Sequence, residues 1–109
     1  MASIVKIDGV YKATKISGPK HNFLGLAVVE SRPAVLRIAR RQLRDDDPPL
    51  IDEMLLLSAV FEGVFKGNSA SGRSLFVEYL EYVQSDTPDY EAYVELATAI
   101  VQSASCDSN

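Results

Sequence analysis

The chain has 109 residues, of which 47% are hydrophobic, and a formal net charge of −4. This length fits one small domain, and no apolar run is long enough to span a bilayer, so we expect a globular protein without a membrane segment. The modest net charge conceals a division near Arg44: residues 1 to 44 hold nine of the 11 basic residues, whereas residues 45 to 109 hold 13 of the 15 acidic residues. Such a division indicates that one half neutralises the other, or that two oppositely charged surfaces meet different partners.

The single cysteine, Cys106, excludes an internal disulfide framework and favours a reducing compartment. The first ten residues lack the apolar segment of a signal peptide, so we expect a cytoplasmic protein. The last residues are small and polar. We therefore predict a single α+β domain over residues 1 to 102 and a flexible C-terminal tail over residues 103 to 109.

The first thirty residues predict an antiparallel three-stranded β-meander. Residues 4 to 7 and 10 to 16 are rich in β-branched side chains, and the Asp8-Gly9 dipeptide between them tolerates the positive φ angles of a type I′ turn. Residues 23 to 30 resume as a strand that is apolar on both faces, which is typical of a covered strand. Gly18 and Pro19 interrupt the second strand, so we expect His21 in a loop over residues 18 to 22.

A short basic helix is predicted next, over residues 34 to 44. On a helix, its arginines fall at i, i+3, i+4 and i+7 on one side, opposite an apolar stripe; they are Arg37, Arg40, Arg41 and Arg44.

Three further helices, packed on the sheet, are predicted over residues 48 to 66, 73 to 84 and about 88 to 102. The first carries apolar residues almost all round, so we expect it to be the core helix, with Leu57 and Phe61 buried. Asp47 is its expected N-cap, and Gly67 marks its expected end. Ala59 lies four residues before a glycine at 63, which would let a neighbouring element approach closely.

The residue types that support catalysis are scarce. The chain has one histidine and one cysteine, so we expect no enzymatic activity and no cofactor. His21 is more readily explained as a surface residue than as a catalyst, although its basic loop could contact an anion or a partner carboxylate. The aspartate run at residues 45 to 47 lacks the ligand spacing of a calcium loop, and we expect no metal site.

The four arginines form a candidate anion-binding stripe. Guanidinium groups along one helical face could contact successive phosphates of a nucleic acid. The competing interpretation is that they pair with the acidic half of the same chain. The segment lacks the interspersed aromatic residues that stack on bases, so we place nucleic-acid binding second.

The acidic half offers the preferred binding surface. Carboxylates at helical spacing, accompanied by tyrosines that could act as anchors, suggest a docking face for a basic protein. The candidate partner-binding residues are Glu78, Glu81, Tyr82, Glu91 and Glu95.

In size and charge, the chain is similar to small bacterial immunity proteins and antitoxin-like inhibitors. This similarity implies a protein-binding module that neutralises a basic toxin, often a nuclease, through its acidic helices. The alternative is a nucleic-acid-associated or regulatory protein that uses the arginine stripe. The composition leaves a homo-oligomer open.

Overall fold

The structure, a computed structural model, describes residues 2 to 107, which form one five-stranded sheet and two helices. In chain order the elements are β1 (Ala2–Ile7), β2 (Val10–Ser17), β3 (Lys20–Val29), β4 (Arg37–Arg41), α1 (Glu53–Ser71), β5 (Phe76–Val83) and α2 (Tyr90–Asp107). The strand order is β1-β2-β3-β5-β4, with β4 parallel to β5 and every other pair antiparallel. The α+β class is confirmed, but the prediction of a three-stranded sheet with four helices is wrong.

The N-terminal meander forms as the sequence predicted. Asp8 and Gly9 have φ angles of 52° and 81°, the two positive values that a tight β1–β2 turn requires. The second turn is shorter than expected, because Ser17 pairs directly with Lys20 and only Gly18 and Pro19 lie between them. The predicted loop over residues 18 to 22 is therefore wrong, and His21 lies on β3.

The predicted basic helix over residues 34 to 44 is also wrong, because this segment contributes the edge strand β4. Ile38 and Arg40 lie opposite Leu80 and Tyr82 of β5, and this parallel pairing satisfies backbone groups on one side of the strand. The helical spacing of the four arginines does not outweigh the pairing of this segment with a buried strand, since intrinsic propensity is a weak preference beside tertiary contacts.

The predicted helix over residues 73 to 84 is β5, the strand between β3 and β4. Leu80 and Tyr82 pair with Leu26 and Leu24 of β3 and are buried under the helices. Glu81, which points to the opposite sheet face, is buried as well. A strand buried on both faces loses the alternation of apolar and polar residues that identifies a strand in a sequence.

The helix boundaries differ from the predicted ones. α1 begins after Asp52, whose carboxylate accepts hydrogen bonds from the N–H groups of Met54 and Leu55, and it ends at Gly72 with a φ of 65°. The predicted start at Asp47 and end near residue 67 are therefore wrong. The carboxylate of Asp47 instead accepts the N–H groups of residues 43 and 44 in the preceding turn, at 2.9 Å each.

The last helix continues into the segment for which we expected a flexible tail. α2 extends through residues 103 to 107, and Ala104 is buried in the core. Residues 108 and 109 of the expected tail lie outside the described residues.

Both helices pack on one face of the sheet and on each other. The contact between them is close, as the spacing of Ala59 and Gly63 predicted: a Cβ atom on Gly63 would lie 2.5 Å from the carbonyl oxygen of Val94, and one on Gly67 would lie 2.7 Å from the Cβ of Val101. The largest fully buried side chains come from the sheet and from both helices: Leu24, Leu26, Leu80, Leu56, Val60, Tyr93, Leu96, Ile100 and Val101. Two helices on one face make a two-layer domain.

Gly63→Ala should destabilise the protein although alanine is the better helix former. The added methyl group meets backbone of α2, which cannot move aside as a flexible side chain can. Overpacking of this kind outweighs the helix-propensity gain of about 1 kcal/mol, so we expect the free energy of unfolding in urea to fall by about 1 to 2 kcal/mol.

Ser69→Ala is the matched control, because Ser69 is an exposed residue of the same helix. It should leave the urea midpoint unchanged or raise it slightly. A Gly63→Ala protein as stable as the Ser69→Ala protein would show that the helices do not approach as closely as the structure indicates.

Candidate protein-binding surface

The five predicted partner-binding residues do not lie on one surface. Glu78, Glu81 and Tyr82 belong to β5, whereas Glu91 and Glu95 belong to α2. Glu81 and Tyr82 are buried on opposite faces of the sheet, while Glu91 and Glu95 are exposed. Of the predicted set, only the two α2 glutamates are exposed.

The two buried residues of that set, Glu81 and Tyr82, already bind other side chains of the same molecule. The Glu81 carboxylate lies 2.9 Å from Nη1 of Arg41 and 4.0 Å from Nζ of Lys12. The hydroxyl of Tyr82 donates a 2.8 Å hydrogen bond to Glu53, and burial raises the pKa of Tyr82 to about 12. Both side chains therefore hold elements of the domain together.

The arginine stripe is divided between the two faces of β4. Arg40 points to the helices and binds both carboxylate oxygens of Glu53, and its hydrogen bond to that carboxylate lowers the pKa of Glu53. Arg37 and Arg41 point to the opposite sheet face, where the Arg37 guanidinium lies 5.5 Å from the ring centre of Tyr79. Arg44 lies in the turn that follows the strand. The four side chains therefore do not form one anion-binding row.

Opposite charges meet within the molecule, at the boundary between the sheet and the helical layer. Lys15 of β2 pairs with Glu95 of α2, and Arg40 pairs with Glu53 at the start of α1. Lys20 lies 3.4 Å from Asp89, just before α2. Within the described part of the chain, Glu91 forms no ion pair. The sheet therefore neutralises part of the acidic half and leaves the outer side of the helices negative.

A row of exposed apolar side chains follows the outer side of α1. Met54, Phe61 and Phe65 are spaced i, i+7 and i+11 and are 73%, 48% and 72% exposed. We call these three residues the outer row. They lie on the side of α1 opposite its buried residues, among them Leu56 and Val60. Exposed apolar groups of this size, gathered on one face, are typical of interaction sites.

The sequence pattern did not predict that the outer row is exposed. Phe61 was expected in the core and is half exposed, and Leu57 is only partly buried, so the prediction that both are buried is wrong. The sequence feature that could have predicted this exposure is that α1 has apolar residues all round its circumference. A helix in a two-layer domain has a covering layer on one side only, so such a helix must expose apolar side chains on the other.

Beside the outer row, a groove of about 210 Å³ runs between α1 and α2. Its lining residues are Leu55, Ser58, Ala59, Glu62, Tyr90, Glu91 and Val94. Apolar side chains contribute its floor, and the carboxylates of Glu62 and Glu91 contribute its exposed rim. The groove is smaller than the roughly 300 Å³ at which pockets for drug-sized ligands begin. It therefore suits a protruding side chain of a larger partner.

Carboxylates dominate the surface of the helical layer. The two helices contain five acidic residues and one basic residue, Lys66. Lys66 lies 3.2 Å from Glu62 on the next turn of α1, so this cation is already paired. Glu53 and Glu95 are paired with sheet cations and Glu62 with Lys66, so Glu91 is the unpaired carboxylate among the helix side chains that the structure describes, and it favours a basic partner at the groove.

His21 belongs to a polar cluster that ties the start of β3 to the turn after β5. Its Nδ1 lies 3.2 Å from the buried carboxylate of Asp86, which also accepts the N–H of Phe23 at 2.7 Å. The side chain of Asn22 donates to the carbonyl of Thr87 at 2.7 Å. The hydroxyl of Tyr93 is buried, and this burial raises the pKa of its phenol. These bonds give His21 a structural role.

Neither described helix is long and apolar enough to cross a membrane, and residues 2 to 107 contain no cluster of three or more potential metal ligands among their histidine, cysteine, aspartate and glutamate side chains. Comparison with known proteins gives no match to a family model, to a curated protein or to a solved structure.

Asp86→Asn should change how stability depends on pH. Burial raises the pKa of Asp86 above its ordinary value of 3.8, so the folded state binds this proton more tightly than the unfolded chain. Such a group stabilises the fold fully below its unfolded pKa, and the contribution is lost as the pH rises through the folded pKa. We expect the stability of the native protein relative to Asp86→Asn to fall as the pH rises from below about 4, the ordinary pKa of an aspartate, towards neutrality.

Urea unfolding of both proteins across this range measures the difference. Asp46→Asn, at an exposed position, controls for the general loss of one charge. A difference between native and Asp86→Asn protein that stays constant over the range would contradict the raised pKa.

Proposed function

We propose that this chain is a protein-binding module that uses the outer side of its helical layer. The observation that carries the proposal is the exposure of Met54, Phe61 and Phe65 along one side of α1. Methionine and aromatic side chains are enriched at the cores of protein interfaces. In a small domain, large side chains left in water add little to stability, and burying them against a partner yields binding free energy.

The charges around the row favour a basic protein as the partner. Glu91 is exposed beside the groove, and α2 contains no lysine or arginine to neutralise it. An acidic surface accelerates encounter with a basic one and repels acidic competitors. An immunity or antitoxin-like inhibitor of a basic toxin, for instance a nuclease, is the most concrete form of this proposal. Its support is the combination of small size, acidic helices and an exposed apolar row.

Nucleic-acid binding is the second candidate, on the sheet face opposite the helices. The specific observation in its favour is that Arg37, Arg41 and Lys12 share this face, with the ring of Tyr79 beside Arg37. Arg40 does not contribute, because it points to the helices. The buried carboxylate of Glu81 lies beside Arg41 and Lys12 and offsets part of their charge. This face is therefore a weaker anion site than four aligned arginines would be.

Replacing Phe61 and Phe65 together by serine tests the leading proposal. Since Phe65 is largely in water and Phe61 is half exposed, we expect the free energy of unfolding to fall by only about 1 to 2 kcal/mol. Binding to the physiological partner, once captured from the native source and identified, should weaken at least about thirtyfold, the effect of losing a 2 kcal/mol anchor. Titration calorimetry with the purified partner measures this loss.

The matched control removes two exposed apolar side chains from the other layer. Val5→Thr with Ile7→Thr alters the β1 edge on the uncovered sheet face and should leave the affinity unchanged. If the partner bound the serine variant normally and lost affinity for the β1 variant, the sheet would be the binding surface and the proposal would be wrong.

A further inference from the structure

From the geometry between the two helices, we infer that the groove receives one apolar side chain of an amphipathic, lysine- or arginine-rich helix of the partner. This inference rests on the proposed function and deepens it by naming the segment that is recognised. The groove is a recess between two helices and has carboxylates among its lining residues, whereas the outer row is a line of apolar side chains on one helix.

The walls of the groove are fixed by the fold. Leu55, Ser58 and Glu62 lie at i, i+3 and i+7 on one side of α1, and Glu91 and Val94 lie one turn apart on α2. The glycine contacts farther along α1 set the distance between the helices. A groove between two rigidly packed helices needs little reorganisation to bind.

Tyr90 closes one end of the groove and is held there from both sides. Its hydroxyl accepts a 2.9 Å hydrogen bond from the backbone N–H of Asp52, the N-cap of α1, and its ring lies 6.3 Å from that of Tyr93 in the core. This bond ties α2 to the start of α1 at the groove. A side chain entering the groove therefore meets a preformed aromatic wall.

The groove and the outer row lie next to each other on α1. Ser58, exposed and small, lies between the groove residue Leu55 and the outer-row residue Phe61 on adjacent turns of α1. One helix laid across Ser58 would place an apolar residue in the groove and another, three or four positions away, on Phe61. This is the spacing by which amphipathic helices occupy grooves.

Charge selects a basic segment over a second copy of this chain. A symmetric dimer through the helical layer would place Glu62 and Glu91 of both copies in one interface. Lys66 is the one cation on either helix and is bound to Glu62. Lysine or arginine residues flanking the anchor of a partner helix would instead pair with Glu91, which has no cation partner among the described residues.

The probe is a synthetic helical peptide of about 15 residues, long enough to be helical, with leucines at i and i+4 and lysines on both flanks. We expect the full chain to bind it with micromolar affinity at low salt and more weakly as salt rises. Replacing the leucines by alanine, or the lysines by glutamate, should abolish measurable binding. Fluorescence anisotropy of the labelled peptide gives the dissociation constants.

Two variants of the protein localise the peptide. Ser58→Phe fills the mouth of the groove from an exposed position, and Glu91→Lys reverses the charge of the rim; each should weaken binding about tenfold. Asp46→Lys is the matched control, because it makes the same charge change at an exposed turn outside the groove, and it should have little effect. Cooperative urea unfolding establishes that all three variants are folded; a small fall of the midpoint is expected for Glu91→Lys, because Glu91 lies in the first turn of α2.

Several results would overturn the groove assignment. One is the absence of peptide binding, and another is equal binding by the native, Ser58→Phe and Glu91→Lys proteins. A third is self-association in sedimentation experiments that Ser58→Phe disrupts, since the groove would then belong to a dimer. If the Phe61 and Phe65 variant still loses the identified partner while this peptide fails, the proposed function stands and only the groove assignment is wrong.

Discussion

The close approach of α1 and α2 at Gly63 and Gly67 is the constraint on which the rest of the structure depends. With no side chain between them, α2 packs directly on the backbone of α1, and the two helices together cover the sheet. This contact turns Leu56 and Val60 towards the core. Because a helix displays side chains all round, the same orientation leaves the apolar residues of the opposite side in solvent. The exposed outer row and the groove are thus direct consequences of how the helices meet.

The ion pairs contribute little to the stability of the fold, and their main effect is on which surface charges are neutralised. Arg40 with Glu53 and Lys15 with Glu95 connect the basic sheet to the acidic helices, yet partly exposed pairs contribute only about 0 to 1 kcal/mol each. Burial of the core side chains provides the stability. The pairs determine which carboxylates remain available to bind the cations of a partner. Glu91 is exposed, has no ion-pair partner within residues 2 to 107, and borders the groove.

The binding surface joins two features that occur separately on many proteins. A row of exposed apolar side chains supplies area, and a narrow groove beside it supplies shape, with the carboxylate of Glu91 at its rim. Area alone binds partners with little discrimination, whereas a shaped recess with charged rims rejects segments that lack the right anchor or charge. The helical layer therefore has the physical means to choose among partners. The opposite sheet face has fewer such features, and its cations lie beside the carboxylate of Glu81.

The sequence by itself determined the N-terminal meander, the α+β class, the division of charge and the close approach at Gly63. These follow from local rules: a positive-φ turn at Asp8-Gly9, β-branched runs, and small residues one helical turn apart. The tertiary structure decided that residues 37 to 41 and 76 to 83 are strands and that Phe61 faces water. A buried strand shows no alternation, an edge strand takes its conformation from its neighbour, and a helix that is apolar all round does not reveal which side a second layer will cover. Those outcomes depend on contacts between segments distant in the chain, which no local pattern contains.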